Sequence, residues 1–245
     1  MKSVLQIVLV AVGLCLSHAS GAAADDKIRV LVVTGGHQFE EKPFFRMFEQ
    51  NPGITFEAVQ HPQADARLTT EGSRNWDVLV LYDMRQPITA EGKADLLARL
   101  KEGKGIVSLH HSIANCQDWE AYSRIIGGKY FLKARKENGV DHPASTYKDD
   151  VTFKVEVAAK DHPVTRGVAD FEILDETYHG LWVDPAATVL LRTGEPTNHP
   201  ILAWARQEQA SRIVYLQLGH GPSAYDHPSY RRLLSQAIRW TAKRD

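Results

Sequence analysis

Two adjacent histidines, His110 and His111, directly follow a short apolar run, Gly105–Leu109, and precede Ser112. Gly103 stands just before that run, and glycine commonly ends a helix. The pattern therefore predicts a buried parallel strand that delivers polar side chains into a turn. Ligands of an open α/β sheet bind outside the carboxyl ends of its strands. Because imidazole can ligate metals and transfer protons near neutral pH, we expect the functional site at this turn.

Polar side chains also follow three other predicted strands. His37 comes after the first strand, Asp83 ends the third, and His220 follows the last one. The polar residues 175–179 come directly after another apolar run and are predicted to form a loop over the same crevice, to which Glu176 would contribute a carboxylate. If these strands are neighbours, all of the groups converge on one crevice.

Two kinds of chemistry fit such a cluster. Several histidines with one carboxylate suit a divalent metal such as Zn, Mn, Fe or Co, and the predicted ligands are His110, Glu176 and His220, although their spacing matches no ligand motif. Alternatively, a histidine with Glu176 or Asp83 could transfer a proton next to a carbonyl group. A purely structural role, with each histidine hydrogen-bonded at a strand end, stays open. The predicted catalytic residues are His37, Asp83, His110, His111, Glu176 and His220.

Nucleophilic catalysis fits the sequence less well. Ser112 lacks the Gly-x-Ser-x-Gly elbow, and Cys116 lies several residues beyond the strand end, where a structural thiol is expected. Aromatic side chains could stack on a sugar ring, although Trp119 has the helical spacing of a core residue. The Gly-x-Gly-x-x-Gly fingerprint is absent, so no nucleotide cofactor is expected. The predicted substrate-binding residues are Ser112, Trp119, Tyr178 and His179.

Composition limits the classes of partner. Residues 1–24 combine Lys2, an apolar run and a stretch of small residues, which predicts a secretory signal peptide and a mature protein in the periplasm or outside the cell, free of the membrane. The remaining residues, 25–245, suit a single domain. They contain one cysteine, which excludes a disulfide within the monomer. The near balance of 29 basic and 30 acidic residues argues against nucleic acid as a partner. A homo-oligomer stays open.

The order of elements predicts an α/β fold. Strands and helices alternate up to Gly105–Leu109, which indicates parallel strands joined by right-handed crossovers. Residues 129–150 are polar and rich in turn signals, and we expect an irregular excursion there. Residues 201–205 and 212–218 are predicted to form a hairpin or a neighbouring pair of strands, and Pro228 opens a final amphipathic helix.

An ordered set of short segments comprises residues 32–37, 77–83, 105–112, 161–167, 175–178, 200–204 and 219–220. Together they resemble the trehalose-utilisation (ThuA-like) family over essentially all of the chain after residue 24. The resemblance implies a mostly parallel, flavodoxin-like sheet of the class I glutamine amidotransferase-like superfamily, flanked by helices. True amidotransferases carry a cysteine after the strand that matches Gly105–Leu109. Here His110 or His111 takes that place, so glutamine hydrolysis is not implied.

The resemblance also implies a function. ThuA-like proteins are associated with disaccharide catabolism through 3-keto sugars, in which the ketone acidifies the neighbouring C–H bond. We therefore expect an exported enzyme, a lyase or hydrolase, that acts on a small 3-keto glycoside by metal- or histidine-assisted elimination or hydrolysis. The alternative is a non-catalytic sugar-binding or accessory protein on the same fold.

Overall fold

The computed structural model describes residues 27–137 and 139–245. The predicted signal peptide, residues 1–24, lies outside the described residues, as does the start of the predicted domain at residue 25. Among the residues that are described, none of the helices combines the length and the apolar character that crossing a membrane requires.

The first half of the chain alternates between strands and helices. Its two central strands, β3 (Val78–Asp83) and β4 (Gly105–Leu109), are buried throughout, as expected for the centre of a sheet that is covered on both faces. Two 3₁₀ helices, Gly72–Asn75 and His110–Ala114, lie between these elements. The elements are β1 (Ile28–Gly35), α1 (Glu41–Glu49), β2 (Ile54–Gln60), α2 (Asp65–Leu68), β3 (Val78–Asp83), α3 (Ala90–Glu102), β4 (Gly105–Leu109) and α4 (Glu120–Ile126).

The second half is mainly antiparallel and closes with helices. The elements are β5 (Gly128–Lys129), β6 (Arg135–Glu137), β7 (Val140–His142), β8 (Thr146–Val157), β9 (Phe171–His179), β10 (Trp182–Val183), β11 (Thr188–Arg192), β12 (Ile201–Glu208), β13 (Ser211–Leu216), α5 (Pro222–Tyr225) and α6 (Pro228–Thr241).

One mixed sheet of nine strands, in the order β2-β1-β3-β4-β13-β12-β11-β8-β9, forms the centre of the fold. The first five strands in this order are parallel, and the other four pair antiparallel. The parallel pairing of the early strands and the β12–β13 hairpin were both predicted from the sequence and are confirmed. The molecule is thus an α/β protein with helices flanking a large mixed sheet.

Helices cover both faces of the parallel half. Phe44 of α1 and Leu233 of α6 belong to the apolar core on one face, while Leu96 of α3 and Ile126 of α4 belong to the core on the other. The α6 helix lies directly on β4. A Cβ atom added to Gly105 would be only 2.6 Å from a backbone oxygen of α6, so only glycine allows this close approach. Close packing therefore holds β4, and the histidines that follow it, in a fixed position.

Two sequence-based expectations are wrong in the second half. Residues 129–150 are not irregular throughout, because β6 pairs with β7 and β8 already begins at Thr146. Residues 175–179 are not a loop but the end of β9, where backbone pairing with β8 satisfies a polar stretch that composition alone assigns to a loop. The register shifts between Lys148 and Val151, and Asp150 has a positive φ of 55°, so β8 carries a bulge here.

Candidate functional site

Three predicted ligands, His110, Glu176 and His220, meet at the carboxyl ends of the strands. His110 Nε2 lies 2.9 Å from Glu176 Oε2 and 3.1 Å from His220 Nδ1. His220 Nδ1 lies 3.4 Å from the same Glu176 oxygen. The three residues come from the turn after β4, from β9 and from the turn after β13, so the sheet brings together groups that are far apart in sequence.

His110 is fully buried and tightly oriented. Its Nδ1 lies 2.6 Å from the carbonyl oxygen of Gln217, to which it donates, so the remaining nitrogen, Nε2, faces the cluster. The Tyr178 hydroxyl lies 2.9 Å from this Nε2, and burial keeps its pKa well above the usual value. A protonated hydroxyl therefore stands next to the cluster as a hydrogen-bond donor. Metal-binding histidines are commonly oriented in this way by a backbone carbonyl.

Asp175 connects β9 to the turn that carries His220. Its carboxylate accepts hydrogen bonds from the backbone N–H groups of Gly219, His220 and Glu176, at 2.8, 3.0 and 2.9 Å.

Burial alone would raise the pKa of Glu176, but hydrogen bonds with His110 and His220 outweigh the effect of burial and hold that pKa well below its usual range. The same contacts with Glu176 raise the pKa of His220. The cluster therefore contains a carboxylate.

His37 and His111 form a second pair of rings beside the cluster. They are stacked with their centroids 4.4 Å apart. Burial, together with the rings of His110 and His37, lowers the pKa of His111 to about 2, so this imidazole is neutral. His37 is exposed, and its Nδ1 lies 2.7 Å from the carbonyl oxygen of Gln38, to which it donates. In the neutral form of this ring, the lone pair is therefore on Nε2.

A cavity of about 290 Å³ opens onto these groups. One part of its wall is polar and includes Glu176 and His220 of the cluster, and the rest is apolar or aromatic. Sequence reasoning missed most of the second part, and it also missed Asp149. The cavity is lined by His37, His111, Glu176, Tyr178, His220, Asp149, Met84, Ile113, Ala114, Tyr130, Leu132 and Tyr147.

Asp149 reaches the cavity through the bulge in β8. Its Oδ1 lies 3.8 Å from His220 Nε2, and a hydrogen bond with Glu176 raises its pKa. The sequence alternates between apolar and polar residues only from Val151 onward, so the polar residues before it gave no sign of a strand. The extra residue, Asp150, also changes the alternation, so counting back from Val151 does not reveal which face Asp149 takes.

The structure does not bring Asp83 into the cluster. Successive strand residues point to opposite faces of a sheet, and Tyr82 packs on His111, with ring centroids 4.3 Å apart. Asp83 instead accepts hydrogen bonds from His61 Nε2 at 3.0 Å and from Asn115 Nδ2 at 2.7 Å. It therefore supports the 3₁₀ helix that follows β4, and does not line the cavity.

Three of the predicted substrate-binding residues also lie away from the cavity wall. Ser112 is fully buried, with its hydroxyl 2.7 Å from that of Ser108. Trp119 is half-buried and packs against the core on the α3 and α4 face. His179 is exposed at the end of β9, where it alternates with Tyr178. Of the four predicted residues, Tyr178 is the one that lines the cavity.

Cys116 has the properties of a structural thiol. It is 5% exposed, and burial, reinforced by the nearby charge of Asp83, raises its pKa to about 12. In a Cys15→Ser background, we expect Ellman's reagent at pH 8 to modify the native protein at least about 100-fold more slowly than the urea-unfolded protein, because thiolate is the reactive form. Adding Ser223→Cys, which places a thiol at an exposed position, should restore fast labelling. Equally fast labelling of Cys116 in both states would contradict this assignment.

The fold and the site define the class of protein. It is an α/β protein in which histidines and a carboxylate from separate strand ends line one cavity. Residues 29–241 match the sequence model of the ThuA family, described as "Trehalose utilisation", and the chain belongs to this family. The resemblance seen in the short sequence segments is thereby confirmed.

Solved structures share this fold. A ThuA-like protein from Parabacteroides merdae is 16% identical, with a TM-score of 0.73 and coverage of 88% of this chain and 90% of its own. A ThuA-like protein from Bacteroides uniformis is 19% identical, with a TM-score of 0.65 and coverage of 87% and 91%. A Thermoplasma acidophilum protein described as one of the subunits of GMP synthase is 14% identical, with a TM-score of 0.51 and coverage of 89% and 95%. No curated protein is found to match the sequence.

Proposed function

We propose that this protein is an enzyme that acts on an oxidised (3-keto) glycoside with the help of a divalent metal bound by His110, Glu176 and His220. The observation that carries the proposal is the convergence of these three side chains, whose ligand atoms all lie within 4.8 Å of one another. The family's association with trehalose utilisation supports a sugar as the substrate.

The distances between the donor atoms suit one metal ion. Two ligands that each bind an ion at about 2.1 Å lie about 3.0 Å apart at a right angle and about 3.4 Å apart at a tetrahedral angle. The donor atoms of His110, Glu176 and His220 are separated by 2.9, 3.1 and 3.4 Å. Two imidazoles and a carboxylate suit Zn, Mn, Fe or Co and leave positions open for a substrate.

The residues around the cluster can divide the steps of an elimination between them. A bound metal would polarise the ketone of the substrate. His37 Nε2, with its lone pair free, is the base that we assign to remove the acidified proton beside the ketone. The electron pair of that C–H bond then forms the C=C bond as the bond to the glycosidic oxygen breaks, and the leaving group departs with a proton from solvent. With Nε2 of His110 bound to the metal, the Tyr178 hydroxyl would donate to the Glu176 carboxylate, while its ring stacks on the His110 imidazole.

The strand order of the sheet supports a more specific fold class. The parallel strands β2-β1-β3-β4-β13 have the order 2-1-3-4-5 of flavodoxin-like sheets, which supports the amidotransferase-like interpretation. In that interpretation His110, with a positive φ of 48° directly after β4, occupies the strained turn where an amidotransferase keeps its cysteine. Cys116 is buried, so we propose that the protein does not hydrolyse glutamine.

The composition of residues 1–24 supports placing this activity outside the cytoplasm. The reaction itself is tested by incubating the purified protein with 3-keto glucosides, with and without Zn, Mn, Fe or Co. We expect metal-dependent release of the leaving group from the 3-keto compound and none from the unoxidised parent glucoside. If no metal supports turnover while the 3-keto glucoside still binds, the enzyme proposal fails and a sugar-binding accessory role takes its place.

A further inference from the structure

The mouth of the cavity carries apolar side chains that face solvent. Among the described residues, four large hydrophobic side chains are exposed: Leu132 (39%), Val140 (56%), Tyr147 (63%) and Leu174 (42%). Two of the four, Leu132 and Tyr147, line the cavity. A single exposed apolar residue needs no explanation, but a pair at the mouth of a site containing catalytic groups indicates a binding surface.

Hydrogen bonds hold the segments that carry these two side chains in place. The Ser145 N–H donates to the carbonyl oxygen of Phe131 at 2.8 Å, and the Phe131 N–H donates to the Ser145 hydroxyl at 2.9 Å. The same hydroxyl donates to the carbonyl oxygen of Gly180 at 2.9 Å. The segment that carries Leu132 is thus joined to the start of β8, which carries Tyr147. The mouth is therefore prearranged, which lowers the entropic cost of binding.

Aromatic rings connect the mouth to the cluster. Tyr147 lies directly opposite Tyr178 in the β8–β9 pair, so both side chains are on the same face of the sheet. The rings of Tyr178 and Tyr130 have their centroids 5.1 Å apart, and Tyr178 stacks on His110 at 4.9 Å. A ligand that touches the cluster can therefore extend along this wall to Tyr147 and Leu132.

We propose that Tyr147 and Leu132 form a second subsite beside the cluster of His110, Glu176 and His220, where the sugar reacts. This subsite binds the apolar face of the ring that is joined to the reacting sugar through the scissile bond. This proposal rests on the proposed function and specifies its substrate as a glycoside with a ring on both sides of the scissile bond. A flat ring fits because the Tyr147 face and the Leu132 methyl groups offer apolar contact without hydrogen-bond donors directed at a particular atom. The ring can be an aryl group or a second pyranose, because each of them presents an apolar face to such a surface.

The test compares three glucosides by calorimetry: 4-nitrophenyl glucoside, a glucose disaccharide and methyl glucoside. We expect the wild-type protein to bind at least one of the two-ring compounds about 10-fold more tightly than methyl glucoside. Tyr147→Ala should remove this preference, Leu132→Ala should reduce it about threefold, and Tyr147→Phe should retain it. Preference for the nitrophenyl compound alone identifies an aryl group, and preference for the disaccharide identifies a pyranose.

Leu174→Ala is the matched control, because Leu174 is exposed to a similar degree but does not line the cavity. It should leave all three affinities unchanged. The subsite is refuted if the wild-type protein shows no preference, or if Tyr147→Ala weakens methyl glucoside by the same factor. Metal-dependent turnover without a ring preference would overturn the subsite alone. A Tyr147-dependent preference without turnover would overturn the enzyme proposal alone.

Discussion

His110→Ala and His220→Ala are each expected to abolish stoichiometric metal binding. The wild-type protein, loaded with Zn and passed through a desalting column, should retain about one ion per chain, and each variant less than about 0.1. The reason is that each substitution leaves only one imidazole and one carboxylate, and two ligands hold an ion too weakly to survive dilution. Elemental analysis of the protein peak gives the ratio directly.

His179→Ala is the control for this experiment. His179 is an exposed histidine at the end of β9, next to Tyr178 in the strand but outside the cavity wall, and its loss should leave the metal content unchanged. Zn should also raise the thermal midpoint of the wild-type and His179→Ala proteins, since binding to the folded state stabilises it. A wild-type protein without metal, or an equal loss in the control, would contradict the proposed site.

His37→Ala is expected to lower kcat on a 3-keto glucoside by about 10²–10⁴-fold, the usual contribution of a positioned base. The metal content should stay at the wild-type value, because His37 is not one of the three ligands. The variant should fold normally, since the side chain is exposed. Steady-state kinetics at saturating substrate, with metal analysis on the same samples, measure both quantities.

His227→Ala serves as the comparison, because His227 contacts Phe171, away from the cavity. Its kcat should match that of the wild-type protein. If His37→Ala retains full kcat, another group removes the proton and the assignment of His37 is wrong. If it loses metal together with activity, His37 supports the metal site and is not the base.

Much of the fold could be predicted from local pattern. The strand Gly105–Leu109 and its neighbours are apolar runs bounded by turn residues, and parallel pairing follows from the helices between them. The three proposed ligands were also within reach, because His110 and His220 follow strands and Glu176 lies two residues after an apolar run. The structure brings all three together.

What the sequence could not supply is the direction of side chains. Asp83 ends a strand as predicted. Because successive strand residues point to opposite faces of the sheet, however, its side chain points away from the cluster and toward His61. Tyr147 and Asp149 lie in a polar stretch whose strand character comes from pairing with β9, a contact between residues distant in sequence. The bulge at Asp150 then resets which face each residue takes.

His110 combines a strained backbone with a buried, hydrogen-bonded side chain. With a φ of 48°, this residue adopts a conformation that costs a non-glycine side chain about 1 kcal/mol or more. Glycine at this position would relieve that cost, but it would also remove a fully buried imidazole whose Nδ1 is hydrogen-bonded to the carbonyl oxygen of Gln217. The contacts of the imidazole therefore offset the strained backbone that directs it into the cluster.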